Sequence, residues 1–146
     1  MRRTALLVTA SLMLLALPAA TAADDGGRPF VVPMTGAQEA PGPGDPDGTG
    51  TAWFTLNQGQ EEICFALAVS DITLPATGAH IHIAPAGSPG PVVVPLIPPD
   101  ASGMSSGCVH VDPALIKAIR QAPWNYYVNV HNADFPAGAV RGQLAR

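Results

Sequence analysis

Glu62-Ile63-Cys64-Phe65-Ala66-Leu67-Ala68-Val69 alternates large apolar residues with small or polar ones along its whole length. Successive side chains of an extended chain point to opposite faces, so Ile63, Phe65, Leu67 and Val69 share one side and Cys64, Ala66 and Ala68 the other. This is the pattern of a half-buried β-strand. The same period of two recurs on both sides of it. Residues 51–56 alternate. Residues 78–83 set Ala79, Ile81 and Ile83 against His80 and His82, and residues 107–111 set Val109 and Val111 against Cys108 and His110. Residues 126–131 set Tyr126, Val128 and Val130 against Tyr127, Asn129 and His131, and residues 139–144 point Val140 and Leu144 inward with Arg141 and Gln143 outward. Residues 30–35 and 91–96 are two further strand candidates, the first read as an edge strand because Pro33 lacks an N–H.

Between these segments the chain is punctuated by 16 prolines and 15 glycines, which suits short strands joined by turns. Residues 36–50 read as an exposed connection, 57–60 and 85–90 as turns, and 98–106 as a mobile one. One helix is expected over residues 114–121. Asp112 can cap it, Pro113 suits a first helical position that needs no N–H, and Pro123 stops it. Leu115, Ile116 and Ile119 give that helix an apolar stripe. The fold class that follows is all-β: a Greek-key-like antiparallel β-sandwich with one short helix.

The N-terminus has another character. Arg2 and Arg3 precede an apolar run over residues 5–17, Pro18 breaks it, and Ala20, Thr21 and Ala22 supply the small residues at which leaders are cut. The run falls short of the roughly 20 residues a membrane-spanning helix needs. Residues 1–22 are therefore expected to be a signal peptide, 23–29 a flexible lead-in, and 30–146 one β domain. That domain would be secreted or periplasmic, with no membrane anchor after cleavage. Loss of Arg2 and Arg3 leaves five basic residues against eleven acidic ones, a net charge of −6. Such a balance repels phosphate backbones and anionic lipid, so neither nucleic acid nor a membrane surface is an expected partner.

Cys64 and Cys108 are the only cysteines. An oxidising compartment favours their pairing, and the closed loop would stabilise the fold by about 4 kcal/mol in the chain-entropy picture. His80 and His82 stand on one side of a strand about 6.5 to 7 Å apart, a spacing from which two imidazoles reach one ion. His131 can supply a third ligand from the polar side of its own strand. Three imidazoles with an open position suit copper or zinc, and Asp134 is the nearest acidic candidate to balance the charge. His110 shares the side of Cys108 and reads as solvated. Asn129, Arg141 and Gln143 read as a polar ladder across the closing hairpin. Glu61 and Glu62 read as the solvated start of a strand, and Trp53 and Trp124 as rim or core packing. No serine sits in a nucleophile elbow, and no glycine-rich loop leads from a strand into a helix, so no catalytic residues are assigned.

Six segments in order resemble one module: Gly36-Ala37-Gln38-Glu39-Ala40-Pro41, Gly50-Thr51-Ala52, Ala79-His80-Ile81-His82, Gly90-Pro91-Val92-Val93-Val94, Tyr127-Val128-Asn129-Val130-His131 and Arg141-Gly142-Gln143-Leu144. Together they are similar to the CHRD domain, first recognised in chordin and widespread in bacterial secreted proteins, and the resemblance runs from Phe30 to the C-terminus. It implies a β-sandwich module of binding or scaffold kind, with the family's His-x-His and Asn-x-His motifs at His80, His82, Asn129 and His131. The family's last strand usually begins Gly-Glu before Arg-Gly-Gln. Here Ala139 follows Gly138, so a carboxylate expected beside His131 is missing.

The expectation is thus a secreted, non-enzymatic CHRD-type binding or scaffold module for a protein, glycan or small ligand. The alternative is extracytoplasmic copper or zinc binding by His80, His82 and His131. A metalloenzyme similar to copper/zinc superoxide dismutase fits less well, because the chain shows neither a bridging histidine with a zinc-binding aspartate nor the rest of that pattern.

Overall fold

In the computed structural model, which describes residues 29–145, eight strands pair antiparallel into one continuous sheet. The expected signal peptide and residues 23–28 of the lead-in lie outside the described residues. In chain order the strands are β1 (Phe30–Thr35), β2 (Thr49–Asn57), β3 (Glu62–Ser70), β4 (Gly78–Ile83), β5 (Val92–Leu96), β6 (Met104–His110), β7 (Tyr126–His131) and β8 (Val140–Gln143). Across the sheet they run β5-β4-β7-β8-β1-β2-β3-β6.

The two rims come together. Ser105 Oγ in β6 donates to the Ile97 carbonyl just beyond β5 at 2.8 Å. Inward side chains from all eight strands join one core, including Ile63, Leu67, Ile81, Val94 and Val128 at 1% exposure or less, with Val109 of β6 packed against it. The sheet is therefore nearly a barrel, and its facing walls are the two layers that the alternation predicts. Each fully buried aliphatic side chain contributes roughly 1.5 to 3 kcal/mol relative to exposure. The fold is all-β with one short helix, as the sequence indicates.

That helix, α1 (Pro113–Gln121), carries the chain from β6 back to β7. The Asp112 carboxylate accepts the Ala114 N–H at 2.7 Å, Pro113 occupies the first turn, and Ile116 and Ile119 are fully buried. β3 and β6 are neighbours, and their register sets Cys64 directly opposite Cys108, with the Cα atoms 3.9 Å apart and the sulfurs bonded. The expected disulfide is present on the outer side of the sheet.

Four expectations need correction. β1 is not at the rim: it lies between β8 and β2, although its pairing to β8 is confined to Thr35 opposite Arg141, so Pro33 removes no ladder bond there. Residues 104–106 are not a mobile connection but the first part of β6, paired with Ala68, Leu67 and Ala66. The tight turn before them, where Asp100 accepts from the backbone of Ser102 and Gly103, delivers the chain directly into the ladder. Ile83, read as inward, is 39% exposed because β4 leaves the core at that end. The connection over residues 36–48 is not simply exposed. It folds onto β8, where Asp45 N–H donates to the Ala139 carbonyl at 2.8 Å, and buries Glu39 and Asp45.

Candidate functional site

β4 and β7 are adjacent, and their register places His80 opposite Asn129, His82 opposite Tyr127 and Gly78 opposite His131. Outward residues of the two strands therefore interleave. His80 Nδ1 and His131 Nε2 lie 3.2 Å apart, and one ring nitrogen from each of His80, His82 and His131 falls within 4.8 Å of the others. A register shift between Ile81 and His82 in the pairing to β5 adds local twist where the second histidine leaves the strand. The three histidines singled out in the sequence are thus brought together. Asp134 does not join them; it accepts a hydrogen bond from the Thr73 hydroxyl on the exposed surface.

Backbone carbonyls fix the rings. Nδ1 of His82 donates to the Gly90 carbonyl at 2.8 Å, and Nδ1 of His131 donates to the Pro136 carbonyl at 3.0 Å. A carbonyl only accepts, so in the neutral His82 ring the contact leaves the lone pair at Nε2. His82 is 7% exposed, and its Nε2 is buried without a hydrogen-bond partner. An unpaired buried polar atom costs about 1 to 3 kcal/mol, so this nitrogen is a prepared acceptor. His131 Nε2 faces His80 Nδ1 and, at 3.1 Å, the Asn129 side-chain oxygen, which can only accept. Burial lowers the pKa of His80, with smaller effects from His131 and His82, and burial likewise lowers that of His131 against an opposing bond to Pro136. Both resist protonation, which preserves nitrogen lone pairs.

The motifs that resembled a known module all lie within the stretch that the family comparison covers. The family model for the CHRD domain matches residues 30–144. This chain belongs to the CHRD domain family. No curated protein and no solved structure matches it. For a CHRD chain, membership supports a non-enzymatic binding or scaffold module at the level of the family. The disulfide is consistent with an extracytoplasmic location. Among the described residues, no helix is long and apolar enough to cross a membrane.

The polar ladder expected in this CHRD module is present, but it is covered rather than solvated. Asn129 and Arg141 are cross-strand partners at 2% and 1% exposure. The guanidinium lies 3.4 Å from the centre of the Tyr127 ring, which stacks on His82 at 4.6 Å. Arg141 also donates to the carbonyls of Ser88 and Pro85 and to Gln143, while Gln143 donates to the Ala84 and Tyr126 carbonyls. The loop over residues 84–91 is thereby tied down across the outer face, and the same loop presents the Gly90 carbonyl to His82.

Glu39, which sequence reading placed only in a motif, closes the other side. Burial pushes its carboxyl up from the ordinary 4.5 to about 7, against the opposing pull of Arg141, the Ala40 N–H and the Asn129 side chain. One carboxyl oxygen is buried without a partner. Gly138, at φ 145°, makes room for it, since a Cβ there would sit 2.3 Å from Glu39 Oε1. Glu39, Gln38, Ala86, Gly87, Arg141 and Gln143 line a cleft of about 190 Å³ beside the ladder. The only sequence signal for this roof was the glycine content of residues 36–48 and 85–90. Trp53 and Trp124 lie outside that cleft at 40% and 60% exposure, and His110 is solvated, 3.6 Å from Glu61.

Proposed function

We propose that this CHRD chain is an exported, non-enzymatic binding module whose ligand contacts lie on the loop-covered histidine face. The observation that carries the reading is the unpartnered, buried Nε2 of His82 among converging polar side chains. Buried polar atoms are nearly always hydrogen-bonded, so an acceptor without a protein partner supports a ligand group held at this face. The export part rests on the leader-like residues 1–22 and is supported by the disulfide. Its test is the mass of the chain recovered from the extracytoplasmic fraction. Cleavage near Ala22 or Ala23 is expected, and an uncut chain retained with the cells would overturn it.

A second reading has its own observation. Two nitrogens bound to one tetrahedral metal at about 2.0 to 2.1 Å stand about 3.3 Å apart, close to the 3.2 Å between His80 Nδ1 and His131 Nε2. His80, His82 and His131 would then hold copper or zinc, once the proton shared by the first pair moves to the far nitrogen of His80. Metal content of the protein purified from the exported fraction tests this. About one ion per chain is expected, falling in His80→Ala; substoichiometric metal unchanged by that substitution would sink it. Catalysis is not part of either reading, so metal-loaded protein should remove superoxide no faster than the free ion.

A further inference from the structure

The metal reading leaves open which ion, and the charge around the cluster decides between them. All three ligands are imidazoles, which bind a metal as neutral donors, and the Gly90 and Pro136 carbonyls face the Nδ1 atoms of His82 and His131. Among the described residues, no carboxylate joins the three ring nitrogens within 4.8 Å. Ala139, fully buried between Gly138 and the start of β8, supplies none. The strongest fixed charge on this face is the Arg141 guanidinium, which stands on the same Tyr127 ring that stacks on His82. Its acidic counterpart, Glu39, is a buried carboxyl turned toward Asn129 and Arg141 rather than toward the cluster.

A neutral, partly buried ligand set without a carboxylate penalises a divalent ion more than a monovalent one. Desolvation cost rises with the square of the ionic charge, and no ligand charge offsets it here. Three nitrogens also satisfy the low coordination number of monovalent copper. Zinc with three histidines needs a fourth ligand and, usually, an anion or hydroxide to offset its charge. Resting on the metal reading, we infer that the His80, His82 and His131 cluster selects Cu⁺ over Zn²⁺.

The experiment is an anaerobic competition on the mature protein, with Cu⁺ kept reduced by ascorbate and contested by a colorimetric Cu⁺ chelator. A parallel titration contests Zn²⁺ with a zinc indicator. One Cu⁺ per chain is expected, bound at least 100-fold more tightly than Zn²⁺, with both His80→Ala and His82→Ala losing it. Zinc bound as tightly as Cu⁺, or more tightly, would overturn the selectivity while leaving the metal reading intact. Binding of neither ion would remove the metal reading and this inference with it. Asn129→Asp then tests the cause, because it sets a carboxylate of the same shape 3.1 Å from His131 Nε2. With the fold unchanged by circular dichroism, it should narrow the preference for Cu⁺ at least tenfold; an unaltered ratio would overturn the charge argument.

Discussion

The Gly90 carbonyl lies 2.8 Å from Nδ1 of His82, and because a carbonyl only accepts, this contact decides which nitrogen of the ring keeps its lone pair. His131 differs, because acceptors stand at both of its ring nitrogens: the Pro136 carbonyl 3.0 Å from Nδ1 and the Asn129 side-chain oxygen 3.1 Å from Nε2. Long-range proton–nitrogen spectra at neutral pH should therefore show His82 with hydrogen on Nδ1 and an unprotonated Nε2. A His82 signal for the opposite tautomer would mean that the loop over residues 84–91 does not hold the ring, and the prepared acceptor would disappear with it.

Glu39 makes stability depend on pH in a defined sense. Its folded-state pKa of about 7 exceeds the ordinary 4.5, so the folded chain binds the proton more tightly than the unfolded chain does. The stabilisation that this gives is present in full below 4.5 and is lost as pH rises through about 7. The histidines act oppositely: burial lowers the pKa of His80 and His131, so their penalty grows as pH falls below 6.5. Comparing parent with Glu39→Gln isolates the carboxyl. Urea unfolding should show the variant gaining up to about 2 kcal/mol on the parent between pH 5 and pH 8. A constant difference across that range would show that Glu39 does not titrate as its burial requires.

What the sequence made legible follows from distance along the chain. A period of two is a local property, so Ile63, Phe65, Leu67 and Val69 could be assigned inward from their own neighbours, and each is buried. His131 could be paired with His80 and His82 by the same argument, since alternation put all three on polar sides. The outer face was not legible. Arg141, Asn129 and Tyr127 alternate as solvated residues would, yet the loops over residues 36–48 and 84–91 bury them through contacts distant in sequence, such as Arg141 to Ser88. Ile83 failed for a related reason: alternation states which side a residue faces, not where the core ends.

Cys64 and Cys108 face each other across β3 and β6 and close a loop of 44 residues in separation. The protein unfolded without reductant should contain no alkylatable thiol by mass spectrometry. The paired substitution Cys64→Ser with Cys108→Ser should lower unfolding stability by about 4 kcal/mol in the chain-entropy picture. Because β6 is a rim strand held on one side by β3, the loss should appear first as faster amide exchange in Met104–His110. Uniform exchange across the sheet in that variant would show that the bridge acts on the unfolded chain alone.

Arg141 ties the roof to the sheet, and its two actions can be separated. The guanidinium donates to the Ser88 and Pro85 carbonyls, and its charge holds down the carboxyl of Glu39. Arg141→Met removes both. Two carbonyls lose their donor, at roughly 1 to 3 kcal/mol for each one left buried, so a total loss of about 3 kcal/mol is expected in urea unfolding. Arg141→Lys keeps a positive charge but not the planar fork that reaches two carbonyls at once. It should lose stability almost as Met does, yet leave the Glu39 titration near that of the parent. In Arg141→Met the titration, followed by the side-chain carboxyl carbon shift, should move upward. The His82 tautomer provides the link to the site: if Arg141 positions the loop that carries Gly90, both variants should weaken the proton on His82 Nδ1. An unchanged tautomer in both would place the support of Gly90 elsewhere, in its N–H contact of 3.3 Å with the Tyr127 hydroxyl.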